Sequence, residues 1–128
     1  MAKTVLIVDD SRFILDMTDF IISFEGYNVL TALGGLEALE IMNKDAVDLA
    51  VIDINMPGMD GYTLIKKIRS DTIFEEIPVI IVTTEAEAKD KQKGFEAGAN
   101  AYLIKPVQPN EIIAQIRLLI GKAGETEK

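Results

Sequence analysis

The sequence contains no cysteine, no histidine and no tryptophan. Without cysteine, neither a disulfide framework nor a thiolate metal site can form, and a reducing compartment is permitted. Without histidine, the chain lacks the commonest general base, the commonest transition-metal ligand and any phosphohistidine of its own. Basic residues are scarce as well: 13 Lys and Arg stand against 21 Asp and Glu, for a net charge of −8. That balance repels a phosphate backbone, so direct nucleic-acid binding is not expected. Long apolar runs are also missing. After Met1-Ala2-Lys3-Thr4 the run Val5-Leu6-Ile7-Val8 stops at two aspartates. It is too short for a signal peptide or a membrane span, and the cytoplasm is the expected location.

What remains is a chain of 128 residues, 48% hydrophobic and 27% charged, the size and balance of one globular domain. The domain is expected over residues 1–123, with 124–128 as a frayed polar tail. No linker, repeat or low-complexity segment interrupts it. Val5 to Val8 is continuous and β-branched, as a strand buried on both faces would be. Ile14, Met17, Ile21 and Phe24 then recur at helical spacing up to Gly26, a helix stop. The alternation continues with strands over 28–31, 49–53, 79–82 and 101–104. Helices follow over 36–42, 62–69, 87–96 and 110–120, the last with an apolar stripe of Ile112, Ile113, Ile116, Leu119 and Ile120. Five βα units imply an α/β, doubly wound, parallel five-stranded sheet covered on both faces, a flavodoxin-like (βα)5 architecture. The strand order 2-1-3-4-5 is borrowed from known proteins of that architecture and is not obtained from these residues.

In that order the carboxyl ends of strands one and three adjoin, and ligands bind there. Asp9 and Asp10 end strand one, Asp53 ends strand three, and Lys105 follows strand five, so all four converge on one edge. Three carboxylates at one mouth repel one another unless a cation joins them or some take up protons. Oxygen donors without His or Cys favour a hard ion such as Mg²⁺. Other readings stand beside this one: Asp9-Asp10 could cap helix one, and Lys105 could be a solvated loop lysine. Asp53 resists such a reading, because it closes the apolar run Leu49-Ala50-Val51-Ile52, where an unpartnered charge is costly.

The sequence resembles the receiver family of two-component signalling. The matching residues are Asp9-Asp10, the stretch from Asp53 through Asn55-Met56-Pro57-Gly58 to Asp60-Gly61, Thr83, and Gly94-Phe95-Glu96-Ala97-Gly98-Ala99 leading to Tyr102 and Lys105-Pro106. The resemblance implies that Asp53 is the phospho-acceptor for a CheA-like histidine kinase. It also implies that Asp10, Asp53 and the backbone carbonyl of Asn55 ligate Mg²⁺, with Asp9 acting through water, and that Lys105 meets the phosphoryl oxygens. Thr83 and Tyr102 are the implied switch, with Tyr102 exchanging an outward for an inward rotamer. That exchange changes the face of helix four, strand five and helix five that partners read, a flagellar switch among them. Asn55 and Glu85 occupy the positions that govern the attacking water. The Lys105-Pro106 bond is a cis candidate, and a monomer is expected.

Thr84 departs from the family pattern, which more often has a smaller residue there, and its bulk is expected to narrow access to the phosphorylation site, which bears on the rates of phosphorylation and hydrolysis and not on the chemistry. Tyr102, Glu85, Asn55 and the lack of an output domain point toward chemotaxis, with a phosphorelay or developmental regulator as the alternative. From other classes, a flavin carrier needs a Ser/Thr/Gly-rich loop where this chain has Asp9-Asp10-Ser11-Arg12. A small aspartyl phosphatase would usually place a carboxylate two residues after the nucleophile, where this chain has Asn55.

Overall fold

The structure, a computed structural model, describes residues 2–124. Of the expected tail, the part beyond Gly124 lies outside the described residues. Ten elements alternate: β1 Thr4–Val8, α1 Arg12–Phe24, β2 Asn28–Ala32, α2 Gly35–Lys44, β3 Leu49–Ile52, α3 Gly61–Ser70, β4 Val79–Thr83, α4 Ala88–Ala97, β5 Ala101–Ile104 and α5 Pro109–Ile120. The five strands form one parallel sheet in the order β2-β1-β3-β4-β5. The borrowed order is therefore the observed one. Every expected element is present, with ends displaced by one or two residues, and strand three stops at Ile52 so that Asp53 lies just beyond it.

Both sheet faces are covered, which is why the central strands β1, β3 and β4 read as nearly unbroken apolar runs, while the edge strand β2 carries Asn28 and Thr31. Leu6, Val8, Ala50, Ile52 and Ile81 point to one side, where α2, α3 and α4 cover them through Met42, Leu64, Ile68 and Ala97. Val5, Ile7, Leu49, Val51 and Ile80 point to the other, under α1 and α5. On that second side the spacing that marks α1 in the sequence does not coincide with the face the helix buries. The residues of α1 that enter the core are Leu15 and Ile22, while Met17 and Phe24 are 47% and 79% exposed. With Phe13 and Phe20 they form an outward stripe. At about 100° per residue these four sit roughly opposite Leu15 on the helix. The stripe inferred from Ile14, Met17, Ile21 and Phe24 straddles two apolar faces, only one of which the sheet covers.

The loop after β3 is shaped by a close approach. The N–H of Gly61 donates to the Ile54 carbonyl at 2.9 Å, and a Cβ on Gly61 would lie 2.8 Å from the Ile54 Cα and closer still to the Asp53 carbonyl oxygen. Backbone cannot yield as a side-chain tip can. Gly61→Ala is therefore expected to cost about 2 kcal/mol or more in urea denaturation. Gly34→Ala, whose Cβ would meet nothing within 4 Å, is expected to change stability by less than about 0.5 kcal/mol.

Candidate functional site

The carboxyl ends of β1 and β3 adjoin, and the chain leaves both strands on acids. Asp9 is buried, Asp10 is exposed and Asp53 is buried. One carboxylate oxygen from each lies within 4.8 Å of the other two. Neither aspartate of the pair is the cap of α1: that is Ser11, whose Oγ accepts from the Ile14 N–H at 3.3 Å. Asp9 instead accepts the Ser11 N–H at 2.9 Å through Oδ1, which leaves Oδ2 turned to the site. The capping alternative is thereby answered for this loop.

Lys105, one residue past β5, reaches across the mouth. Its Nζ donates to Asp9 Oδ2 at 2.8 Å and stands 3.7 Å from Asp53 Oδ2. The bond from Lys105 to Pro106 is cis. Burial pushes the Asp53 carboxyl above the usual aspartate value, with the Asp9 charge adding to the rise. The Lys105 ammonium and the N–H groups of Asn55 and Ile54 oppose it. The site is thus a buried carboxylate held short of its counter-charge. All its donors are oxygen, which fits a hard divalent cation and no soft metal.

The remaining expected residues line the same edge. Asn55 Nδ2 donates to Glu85 Oε1 at 2.9 Å, so the two residues expected to govern water form one bridge. Thr83 is fully buried at the end of β4, and its Oγ1 accepts the Glu85 N–H at 3.3 Å. The Glu85 carbonyl in turn accepts the Tyr102 hydroxyl at 2.8 Å. Thr83 and Tyr102 therefore hold opposite ends of one residue. Tyr102 is half-buried and turned inward, its ring against Phe95 with centroids 6.3 Å apart. Thr84 is exposed and lines a groove with Met17, Lys105 and Pro106. Asp60 caps α3, accepting from the Thr63 N–H at 2.8 Å. Sequence reasoning missed Tyr62 on α3, whose ring lies 4.5 Å beneath Lys93 Nζ. Nothing local in the sequence joins the two.

A doubly wound sheet with three acids and one lysine at its switch point defines a class, and the comparisons name it. Residues 5–117 match the response regulator receiver domain, and the chain belongs to that family. It superposes over 94% of its length on all of the chemotaxis protein CheY4 of Vibrio cholerae, at a TM-score of 0.89 and 33% identity. It is 36% identical to a Guillardia theta protein described as "Probable transcriptional regulator ycf27", over 96% of this chain and 47% of that one. It is 34% identical to the regulatory protein VanRc of Enterococcus gallinarum, over 91% of this chain and 49% of that one. The chain spans about half the length of these curated relatives. It is a receiver domain of the two-component response regulators, a family of signalling switches. Among the described residues no helix is long and apolar enough to cross a membrane.

Proposed function

We propose that the chain is a phospho-acceptor switch in which the Asp53 carboxylate takes a phosphoryl group from a histidine kinase, with Mg²⁺ held by Asp10, Asp53 and the Asn55 carbonyl. The observation that carries this reading is the convergence of Asp9, Asp10, Asp53 and Lys105 at one sheet edge. The Asp53 oxygen attacks phosphorus; the new P–O bond forms as the P–N bond to the donor imidazole breaks, and the ring, protonated on its other nitrogen, takes the bonding pair and leaves as neutral imidazole. When bound, Mg²⁺ supplies positive charge against the oxygens of the transition state. Asp9 holds Lys105 over Asp53, so a compact cation stands ready beside the arriving oxygens. Asn55 and Glu85, bridged across the mouth, restrict the water that later hydrolyses the acyl phosphate.

Phosphorylation adds roughly two negative charges and three acceptor oxygens. A Thr83 hydroxyl drawn toward them releases the Glu85 N–H, and Glu85 carries the acceptor of Tyr102. The α4–β5–α5 face then changes for its readers. The test is mass spectrometry after exposure to a small phosphodonor with Mg²⁺. Modification mapped to Asp53 is the expected result; label on any other residue, or none, counts against the reading.

For the pathway, we favour chemotaxis. Tyr102, Glu85 and Asn55 support it, as does the superposition on CheY4. Curated relatives described as transcriptional regulators support the alternative of a non-motor target. Phosphorylation-dependent binding to a flagellar switch peptide separates the two. The net charge of −8 disfavours direct contact of this chain with the phosphate backbone of DNA.

A further inference from the structure

Tyr62 lies on α3, buried, and takes no part in the acidic site. Its hydroxyl donates to the Asp90 carbonyl in the first turn of α4, at 3.3 Å, and Lys93 one turn on covers its ring. The next residue of α4, Gly94, forms a wall for the other tyrosine: a Cβ there would stand 3.0 Å from the Tyr102 ring. Phe95 flanks the same ring. The Tyr102 hydroxyl is anchored on the Glu85 carbonyl, in the segment leading into α4. Two phenols from different elements thus grip the two ends of residues 85–90. Their hydroxyls are near enough for each to bear on the other's ionisation, and burial pushes both upward, so both remain donors.

We propose that Tyr62 is a positioning residue: its bond to Asp90 holds the β4–α4 segment where the Tyr102 hydroxyl meets the Glu85 carbonyl, so the inward rotamer is populated before phosphorylation. Without that anchor the first turn of α4 is free to shift and the Glu85 carbonyl moves with it. Tyr62 then sets the basal output of the face that partners read, which rests on the switch role proposed above for Tyr102.

The test is the ratio of inward to outward Tyr102 rotamers, read from NMR side-chain couplings in the chain without phosphodonor. Tyr62→Phe keeps the ring and its contact with Lys93 and removes only the hydroxyl. One hydrogen bond of ordinary net strength corresponds to a fall in that ratio of about three- to tenfold. A ratio unchanged from wild type, or shifted toward inward, overturns the proposal. A role in packing alone would lower the melting temperature and leave the rotamers in place. The measurement involves no phosphoryl transfer, so it is separable from the acceptor assignment. Absent labelling of Asp53 would sink the phosphoryl reading and leave the Tyr62 ratio standing.

Discussion

Asp53→Asn is expected to abolish phosphoryl uptake and, in metal-free buffer, to raise the melting temperature. The first half follows from chemistry. An amide is a poor nucleophile toward phosphorus, and the other buried carboxylate at this mouth, that of Asp9, is already engaged by Lys105 at 2.8 Å and by the Ser11 N–H at 2.9 Å. Loss of labelling by at least about 10³-fold is the scale seen when a nucleophile is removed. The second half follows from linkage. The folded protein raises the Asp53 pKa chiefly by burial. The native state then binds that proton more tightly than the unfolded chain does. The penalty is absent below the unfolded value near 3.8, builds as pH rises from there through the raised value, and is complete above it. Asparagine never carries the charge, so above the raised value the variant escapes the penalty. Mg²⁺ should reverse the comparison. A cation at one hundred times its dissociation constant stabilises the native wild type by about 2.7 kcal/mol, and the variant, short of one ligand charge, by less. Thermal scans with and without Mg²⁺ read both effects. A variant less stable than wild type in chelator would show that the Asp53 charge is already compensated and that the site does not call for a cation.

Much of this architecture was legible because β1 and β3 are buried on both faces and three of the strands give way to a residue of opposite character. Val8 gives way to Asp9, Ile52 to Asp53 and Ile104 to Lys105, so element and site boundaries coincide. The acceptor candidates were therefore visible as charges at the ends of apolar runs. Helix α1 shows what periodicity does not carry. Leu15 and Ile22 lie seven residues apart facing the sheet, and Phe13, Met17, Phe20 and Phe24 repeat on the far side. A helix apolar on two faces yields two valid stripes, and only the position of the sheet decides which one is covered. The same holds for contacts between distant elements. Asn55 with Glu85 and Tyr62 with Asp90 are separated by 30 and 28 residues. The bonds of Arg69 to the carbonyls of Gly98 and Ile77 arise in the same way, from how α3 lies beside the ends of α4 and the approach to β4. Local spacing holds no trace of such pairs.

Lys105→Ala is the change that separates the static role of this lysine from its switching role. In the wild type one ammonium serves two carboxylates whose side chains are only 5% and 8% exposed. Its removal strands both, and breaking a buried pair on one side typically costs about 3 kcal/mol or more. Urea denaturation in chelator is expected to show a loss of that order, with Asp53 pushed further above its ordinary pKa because the Lys105 charge had been lowering it. Mg²⁺ should recover most of the loss, since a divalent ion among Asp9, Asp10 and Asp53 supplies the missing positive charge. Recovery of stability will not bring recovery of signalling. Lys105 stands between Asp9 and Asp53 on the β5 side of the mouth, next to the strand that carries Tyr102. It is the group on that strand's extension able to follow a phosphoryl oxygen. The variant saturated with Mg²⁺ should therefore accept label on Asp53 yet bind a partner of the α4–β5–α5 face no better when labelled than when not. If Mg²⁺ left the stability loss untouched, the ion would not be entering among those acids, and the ion pair of Lys105 with Asp9 would be a purely structural tie.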